Sequence, residues 1–322
     1  MKKNLLVAAL PIFLTTASVV VGFAQGQTHS RNMPREVAVT FDDLPTAYGG
    51  SPGRLREVTT KLLRSIKSNN VPAIGFVNEI KLYVPGQIDE RTALLQMWLD
   101  AGLELGNHNF SHAYIDRTPL AAYQEEVIRG ETITNMLLRE KGMKLRYYRH
   151  TELKTGPTPE YKEGLERFLA ERGYTVAPVT IHNHDFVFAR VYLDALERGD
   201  RATMKRIGEA YVPYMEGMFG FFEKLSRDFL GYEPKQVLIL HANELNADYF
   251  DELAIMMRRR GYKFVTLGEA LKDKAYGLPD AQLTSGPSWI VRWMVAKGLD
   301  VPEQPDEPKF ILELFESIQR RR

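Results

Sequence analysis

Short apolar runs that end in polar residues alternate with longer stretches of helical spacing through most of the chain. Val37, Ala38, Val39, Thr40 and Phe41 run straight into Asp42 and Asp43, and Leu44-Pro45 closes the run. That pattern predicts a short buried strand. Six more strands are predicted over 71–77, 103–108, 145–149, 174–179, 237–241 and 263–265. Between them, apolar residues recur at helical spacing over 55–68, 91–101, 118–141, 160–172 and 248–260. A longer helical stretch, 190–230, carries Met215, Met218, Phe219, Phe222 and Leu225 at core spacing, and Pro213 is expected to break it.

Strand and helix alternating in this way predict a parallel α/β barrel over 36–273, with a helical insertion at about 190–233. Residues 274–322 form a C-terminal extension with an amphipathic stretch at 310–318. It is expected to pack against the barrel; a sharper alternative has Trp289 and Trp293 bordering a sugar site.

The N-terminus follows a different pattern. Lys2 and Lys3 precede an apolar run over 5–21, and Gly22-Phe23-Ala24 offers small residues where a signal peptidase cuts. Residues 1–24 therefore read as a secretory signal, and polar residues 25–35 as a flexible leader. The run is near the length of a membrane anchor, but Pro11 and the Gly-x-Ala ending favour cleavage. A secreted or periplasmic protein without a stable anchor is expected. Cleavage removes two positive charges and no acids, which moves the net charge from +1 to about −1. A nearly neutral chain gives no electrostatic argument for nucleic acid or an anionic membrane. The chain has no Cys, which excludes disulfides, thiolate catalysis, lipidation at Cys and Cys-ligated zinc.

Polar residues at the strand ends supply the candidate chemistry. Strand ends are where α/β barrels carry their active sites. Asp42 and Asp43 end the first strand; neighbours in an extended chain point to opposite sides, so the two are expected to do different work. A lone Asp-Asp pair after a strand is usually a turn. His108 ends another strand, and His112 follows four residues on, which would place both on one face of a helical turn. His-x-x-x-His alone is a weak signal. Arg149 ends the 145–149 strand, Asp185 follows the 174–179 strand, and His241 ends the cleanest apolar run.

Taken in order, these motifs resemble those of the polysaccharide deacetylase family (NodB homology, carbohydrate esterase family 4) over about 35–272. Thr40-Phe41-Asp42-Asp43 is similar to its first motif, and Gly106-Asn107-His108-Asn109-Phe110-Ser111-His112 to its second. Arg149, Asp185 and Ile239-Leu240-His241 match the third, fourth and fifth. The resemblance implies an irregular (β/α) barrel of about seven parallel strands and metal-dependent hydrolysis of acetyl groups on a glycan. It implies that Asp43, His108 and His112 hold one divalent cation: zinc first, with cobalt, nickel or manganese as alternatives. Asp42 would be the general base, oriented by Arg149, and His241 the general acid, supported by Asp185. Phe186, Ile239 and Tyr148 would contact the substrate.

This chain departs from the family pattern in places. Asn109 stands for Ser or Thr, and His150-Thr151 for Pro-Pro. Phe186 stands for Trp, Ile239 for Leu and Ala242 for Asp. None of these is a metal ligand or the base; they reshape the acyl pocket. Two other functions compete with glycan deacetylation: hydrolysis of a non-glycan amide or small ester on the same barrel, and non-catalytic sugar binding.

Overall fold

The structure is a computed structural model that describes residues 35–321; the signal sequence and nearly all of the leader lie outside the described residues. Seven strands form one sheet: β1 (Arg35–Leu44), β2 (Ile74–Val77), β3 (Glu104–Asn107), β4 (Tyr147–Tyr148), β5 (Thr175–Val176), β6 (Gln236–His241) and β7 (Tyr262–Phe264). Their order is β5-β4-β3-β2-β1-β6, and every pairing is parallel. Three strands pair with β1. β2 pairs with its carboxyl half (Thr40 opposite Ile74) and β7 with its amino half (Arg35 opposite Tyr262). β6 runs along the other edge, from Val37–Gln236 to Asp42–His241. This is the predicted irregular (β/α) architecture, realised as a half-barrel sheet with helices.

The apolar run of β1 is buried on both faces, as a parallel strand under helices must be. Phe41 packs edge-on against Trp98 of α2 (Ile88–Asp100) and Phe250 of α8 (Glu244–Arg259), with ring centroids 5.7 and 5.4 Å away. Truncating it to Ala would cost about 3–5 kcal/mol. α1 (Pro52–Ser68) starts at Pro52, capped by Ser51, and buries Leu55, Val58 and Leu62.

Two helical expectations are corrected. The stretch 118–141 is two helices, α3 (Leu120–Arg129) and α4 (Thr132–Glu140). Gly130 ends α3, at a position where a Cβ would meet Asn107 Oδ1 at 3.0 Å and Phe110 N at 3.1 Å. The buried Glu79 carboxylate caps α4, accepting from the N–H groups of Ile133 (3.1 Å) and Thr134 (2.7 Å). Further on, α5 is Pro159–Glu171, and the insertion is α6 (Asp185–Glu197) followed by α7 (Arg201–Leu230). The break falls at Gly199, whose φ is 68°, and Asp200 caps α7 by accepting from Thr203 N–H at 3.0 Å. Pro213 lies inside α7 without ending it.

After the short α9 (Leu267–Ala270) come α10 (Trp289–Ala296) and α11 (Lys309–Arg320). α11 packs on α6. Trp289 and Trp293 are buried, Trp293 against Tyr276. Among the described residues, no helix is long and apolar enough to cross a membrane.

Candidate active site

The carboxyl end of β1 is irregular. Phe41 is opposite Gly75 and Leu44 opposite Val77, so three steps on β1 match two on β2. The extra residue forms a bulge, with Asp43 in the left-handed region at φ 73°. The bulge corrects the expectation that the paired carboxylates face apart. Asp42 Oδ2 lies 3.7 Å from His108 Nε2, and Asp43 Oδ1 lies 4.0 Å from the same nitrogen. Lys81 steadies the turn: its ammonium donates to the Asp43 carbonyl at 3.0 Å and stands 3.2 Å from Oδ1.

β3 ends at Asn107 and delivers His108. The expected helical turn to His112 is absent: Asn109 and His112 have φ of 68° and 57°. Asn side chains hold the loop instead. Asn107 Oδ1 accepts from Asn109 N–H (2.8 Å), and Asn109 Oδ1 from Ala113 N–H (3.1 Å). The two imidazoles still meet, with centroids 5.0 Å apart. The carbonyl of Arg149 can only accept, so His108 must donate through Nδ1 (2.9 Å), leaving Nε2 as a lone pair toward the cleft.

Asp43, His108 and His112 each offer a ligand atom, all within 4.8 Å of one another. Asp43 Oδ1 is buried without a hydrogen-bond partner. Burial raises the Asp43 pKa, and Lys81 with the nearby imidazoles more than reverses this, holding it below the usual carboxylate range. Burial, then His112, pushes His108 well below the usual imidazole value. A carboxylate and a neutral imidazole are the forms that bind metal, and one O with two N donors suits a borderline divalent ion with open positions. The residues present fit the cation.

Asp42 is buried beside Arg149, with Oδ2 3.6 Å from Nη1. Arg149 Nη2 donates to Thr40 Oγ1 at 2.9 Å, and its guanidinium lies over the Phe76 ring at 4.7 Å. Burial raises the Asp42 pKa, with Arg149 opposing. Tyr148 is a correction. It is fully buried, its hydroxyl donates to Tyr123 at 3.1 Å, and it packs with Leu165 and Leu169 of α5 away from the cleft. Side chains alternate along β4, so Arg149 facing the site sends Tyr148 into the helix layer.

On the neighbouring strand, His241 is the register partner of Asp42. Its Nδ1 donates to Asp185 Oδ1 at 2.7 Å, and its backbone N–H to Asp185 Oδ2 at 2.9 Å. Asp185 opens α6 and is fully buried. Burial alone would lower the His241 pKa; Asp185 overrides it, and His241 is pushed up to about 9. Ile239 and Phe186 wall the cleft beside His241, with the exposed Phe186 ring 6.3 Å from the imidazole. The cleft encloses about 630 Å³.

Lys81, Tyr48, Glu152 and Gln304 are not singled out by the sequence; of His182 and His184, which flank Asp185, one could be a second acid, with a loop role for both the more ordinary reading. All except Lys81 line the cleft. They arrive from loops and from the C-terminal segment, where no periodicity marks a site. Burial and then His184 push His182 down to about 4, so it is neutral.

The model of the polysaccharide deacetylase family matches residues 29–175, the stretch that carries Asp42, Asp43, His108, His112 and Arg149. Over that stretch the chain is similar to the polysaccharide deacetylase family, as its motifs implied. Enzymes of this family use a divalent metal. Asp185 and His241 lie beyond the match. No curated protein matches the sequence. Several solved structures are similar to it. The peptidoglycan deacetylase PdaC from Bacillus subtilis is 19% identical, covering 74% of this chain and 92% of its own, with a TM-score of 0.46. The polysaccharide deacetylase Bc1974 from Bacillus cereus is 17% identical, covering 72% and 91%, with a TM-score of 0.49. A carbohydrate esterase family 4 pseudoenzyme from Bacillus anthracis is 14% identical, covering 74% and 66%, with a TM-score of 0.45.

Proposed function

We propose that this protein is a secreted or periplasmic, metal-dependent deacetylase that hydrolyses acetyl groups of a glycan. One observation carries the reading. Three metal-type ligands meet at the strand ends, with a buried carboxylate against Arg149 on one side and an Asp-held imidazolium on the other. Asp43, His108 and His112 would hold the divalent cation, zinc being the first choice for one carboxylate and two imidazoles. When bound, it would polarise the acetyl carbonyl and acidify a water.

The chain's own residues do the rest. Asp42 accepts the proton of the attacking water at Oδ1, the oxygen left without a partner. Arg149 stands 3.6 Å from Asp42 Oδ2, and its charge opposes the rise that burial causes at this carboxylate. His241 delivers a proton from Nε2 to the leaving nitrogen or oxygen, while Asp185 holds Nδ1–H. Phe186 and Ile239 exclude water around the acyl group. The test is acetate release by the purified protein, with and without added zinc, on a panel of acetylated sugars, simple amides and small esters. Release from the sugars that needs the metal is expected. Metal-dependent turnover of amides or esters alone would move the substrate off glycans. No turnover of any compound by metal-loaded protein would leave a binding protein.

A further inference from the structure

The mouth of the cleft can be followed round through direct contacts. On one side the Tyr48 hydroxyl donates to the Phe186 carbonyl at 3.1 Å. Next, His184 Nδ1 is paired with the Glu307 carboxylate, and His182 Nδ1 faces Gln304 Oε1 across 3.3 Å. Ser288 Oγ–H donates to the Thr180 carbonyl at 2.7 Å, which fastens an earlier part of the same C-terminal segment to the barrel. Gly286 then presses on Glu152: a Cβ on Gly286 would stand 1.8 Å from the Glu152 carbonyl oxygen. The fully buried Arg292 locks that junction, donating to the carbonyls of Leu153 (2.7 Å) and Ser285 (3.3 Å). Thr151 Oγ1–H donates to the Ala113 carbonyl at 2.9 Å, beside His112. His112 faces Asp43, and Ala47 N–H donates to the Ala242 carbonyl at 2.6 Å, which leads back to Tyr48.

Half of this ring is made by residues 285–307, which lie outside the barrel. We infer that this segment turns the cleft into a blind pocket, which admits a short acetylated oligosaccharide or the end of a sugar chain and excludes a polymer lying across it. The inference rests on the deacetylase reading above. The cleft volume of about 630 Å³ belongs to the range of pockets that bury one small ligand. Gln304 and Glu307 are then specificity-determining residues: they hold the 182–184 wall in place without touching the acetyl group.

The experiment uses the zinc-loaded full chain with an N-acetylglucosamine hexamer and a long soluble polymer of the same sugar. Deacetylated units are mapped by mass spectrometry. The hexamer should lose acetyl from a terminal unit, and kcat/KM per acetyl should be about 10-fold or more lower on the polymer, as steric discrimination gives. Glu307→Ala and Gln304→Ala should release acetyl from internal units and shrink the polymer deficit; hydrolysis of an aryl acetate shows that each variant is folded. Internal units of the hexamer deacetylated by the wild type as fast as terminal ones would overturn the blind pocket. Variants that stay restricted to the chain end would take the wall away from this segment. No acetate from any sugar would instead remove the deacetylase reading itself.

Discussion

Asp42 and Asp185 are both carboxylates with almost no exposure, at 1% and 0%; the first lines the cleft and the second lies behind His241, which lines it too. Asp185 is saturated: it accepts from His241 Nδ1, His241 N–H and Asn246 Nδ2, at 2.7, 2.9 and 2.8 Å. Asp42 is not. Its Oδ1 has no hydrogen-bond partner among the described residues, nor do Arg149 Nε and Nη1 beside it or Asp43 Oδ1 next to it. The titration follows the bonding. Burial raises both carboxylates, but His241 pulls Asp185 below the usual range, while Arg149 only opposes the rise at Asp42. A buried polar atom without a partner costs free energy. Where several gather in a cleft, they mark capacity kept for a ligand or a proton. Asp185 holds a fixed charge behind His241, while Asp42 keeps an open acceptor.

The contrast is tested most severely at the metal. Stripping it with a chelator should lower turnover roughly 10³–10⁴-fold, since several kcal/mol of transition-state stabilisation go with it. Refilling with zinc should restore it. The His108→Ala, His112→Ala double variant should fail to bind zinc in equilibrium dialysis while keeping its circular dichroism spectrum. Stoichiometric zinc in that variant would end the assignment of the ligands.

The next effect separates the adjacent carboxylates. Asp42→Asn should keep zinc and lose turnover by about 10³-fold, because an amide cannot take the proton. Asp43→Asn should weaken zinc binding itself. Equal zinc loss in the two variants, with near-normal turnover in Asp42→Asn, would show that the division of labour is wrong.

That Asp42, Asp43, His108, His112 and His241 gather at the strand ends was legible in the sequence, but their geometry was not. The apolar run 37–41 placed two acids at a strand end, and the ordered motifs supplied the partners. Strict alternation then predicted that the acids face apart, and the left-handed Asp43 undoes that. Such a bulge shows only against the register of β2. The fate of Tyr148 follows from alternation along a strand ending at Arg149. Lys81 and Gln304 had no signal at all. Each reaches the site from a segment whose spacing in the chain says nothing of where it folds back.

On the saturated side the effect should be smaller and depend on the substrate. His241→Ala should leave zinc intact and lower kcat on an N-acetyl sugar by about 10²-fold or more. On an aryl acetate, whose leaving group needs no proton, the loss should nearly vanish. An equal loss on both substrates would make His241 a positioning residue.

The smallest expected effect is the most specific. His241 is pushed up to about 9 because the Asp185 charge outweighs its burial. Asn at 185 keeps an acceptor for Nδ1–H but removes the charge. The imidazolium should then be lost at lower pH, so the alkaline limb of the kcat profile should move down. At neutral pH the loss in kcat should be about tenfold or less, as part of the acid stays protonated. A bound cation also lowers the His241 value, so both limbs should lie at or below about 9, with the variant the lower. Stability gives an independent check. The folded pKa of His241 lies above its ordinary ~6.5, so its contribution is complete below ~6.5 and is lost as pH rises through the folded value. Asp185 is depressed, so its contribution holds above the ordinary carboxylate range and fades in acid. Urea unfolding of the metal-free protein should therefore show Asp185→Asn less stable than the wild type at pH 6. The gap should narrow as pH rises toward 9. A gap that stays constant from pH 6 to 9.5, with an unmoved alkaline limb, would mean that the Asp185 charge does not set the His241 proton.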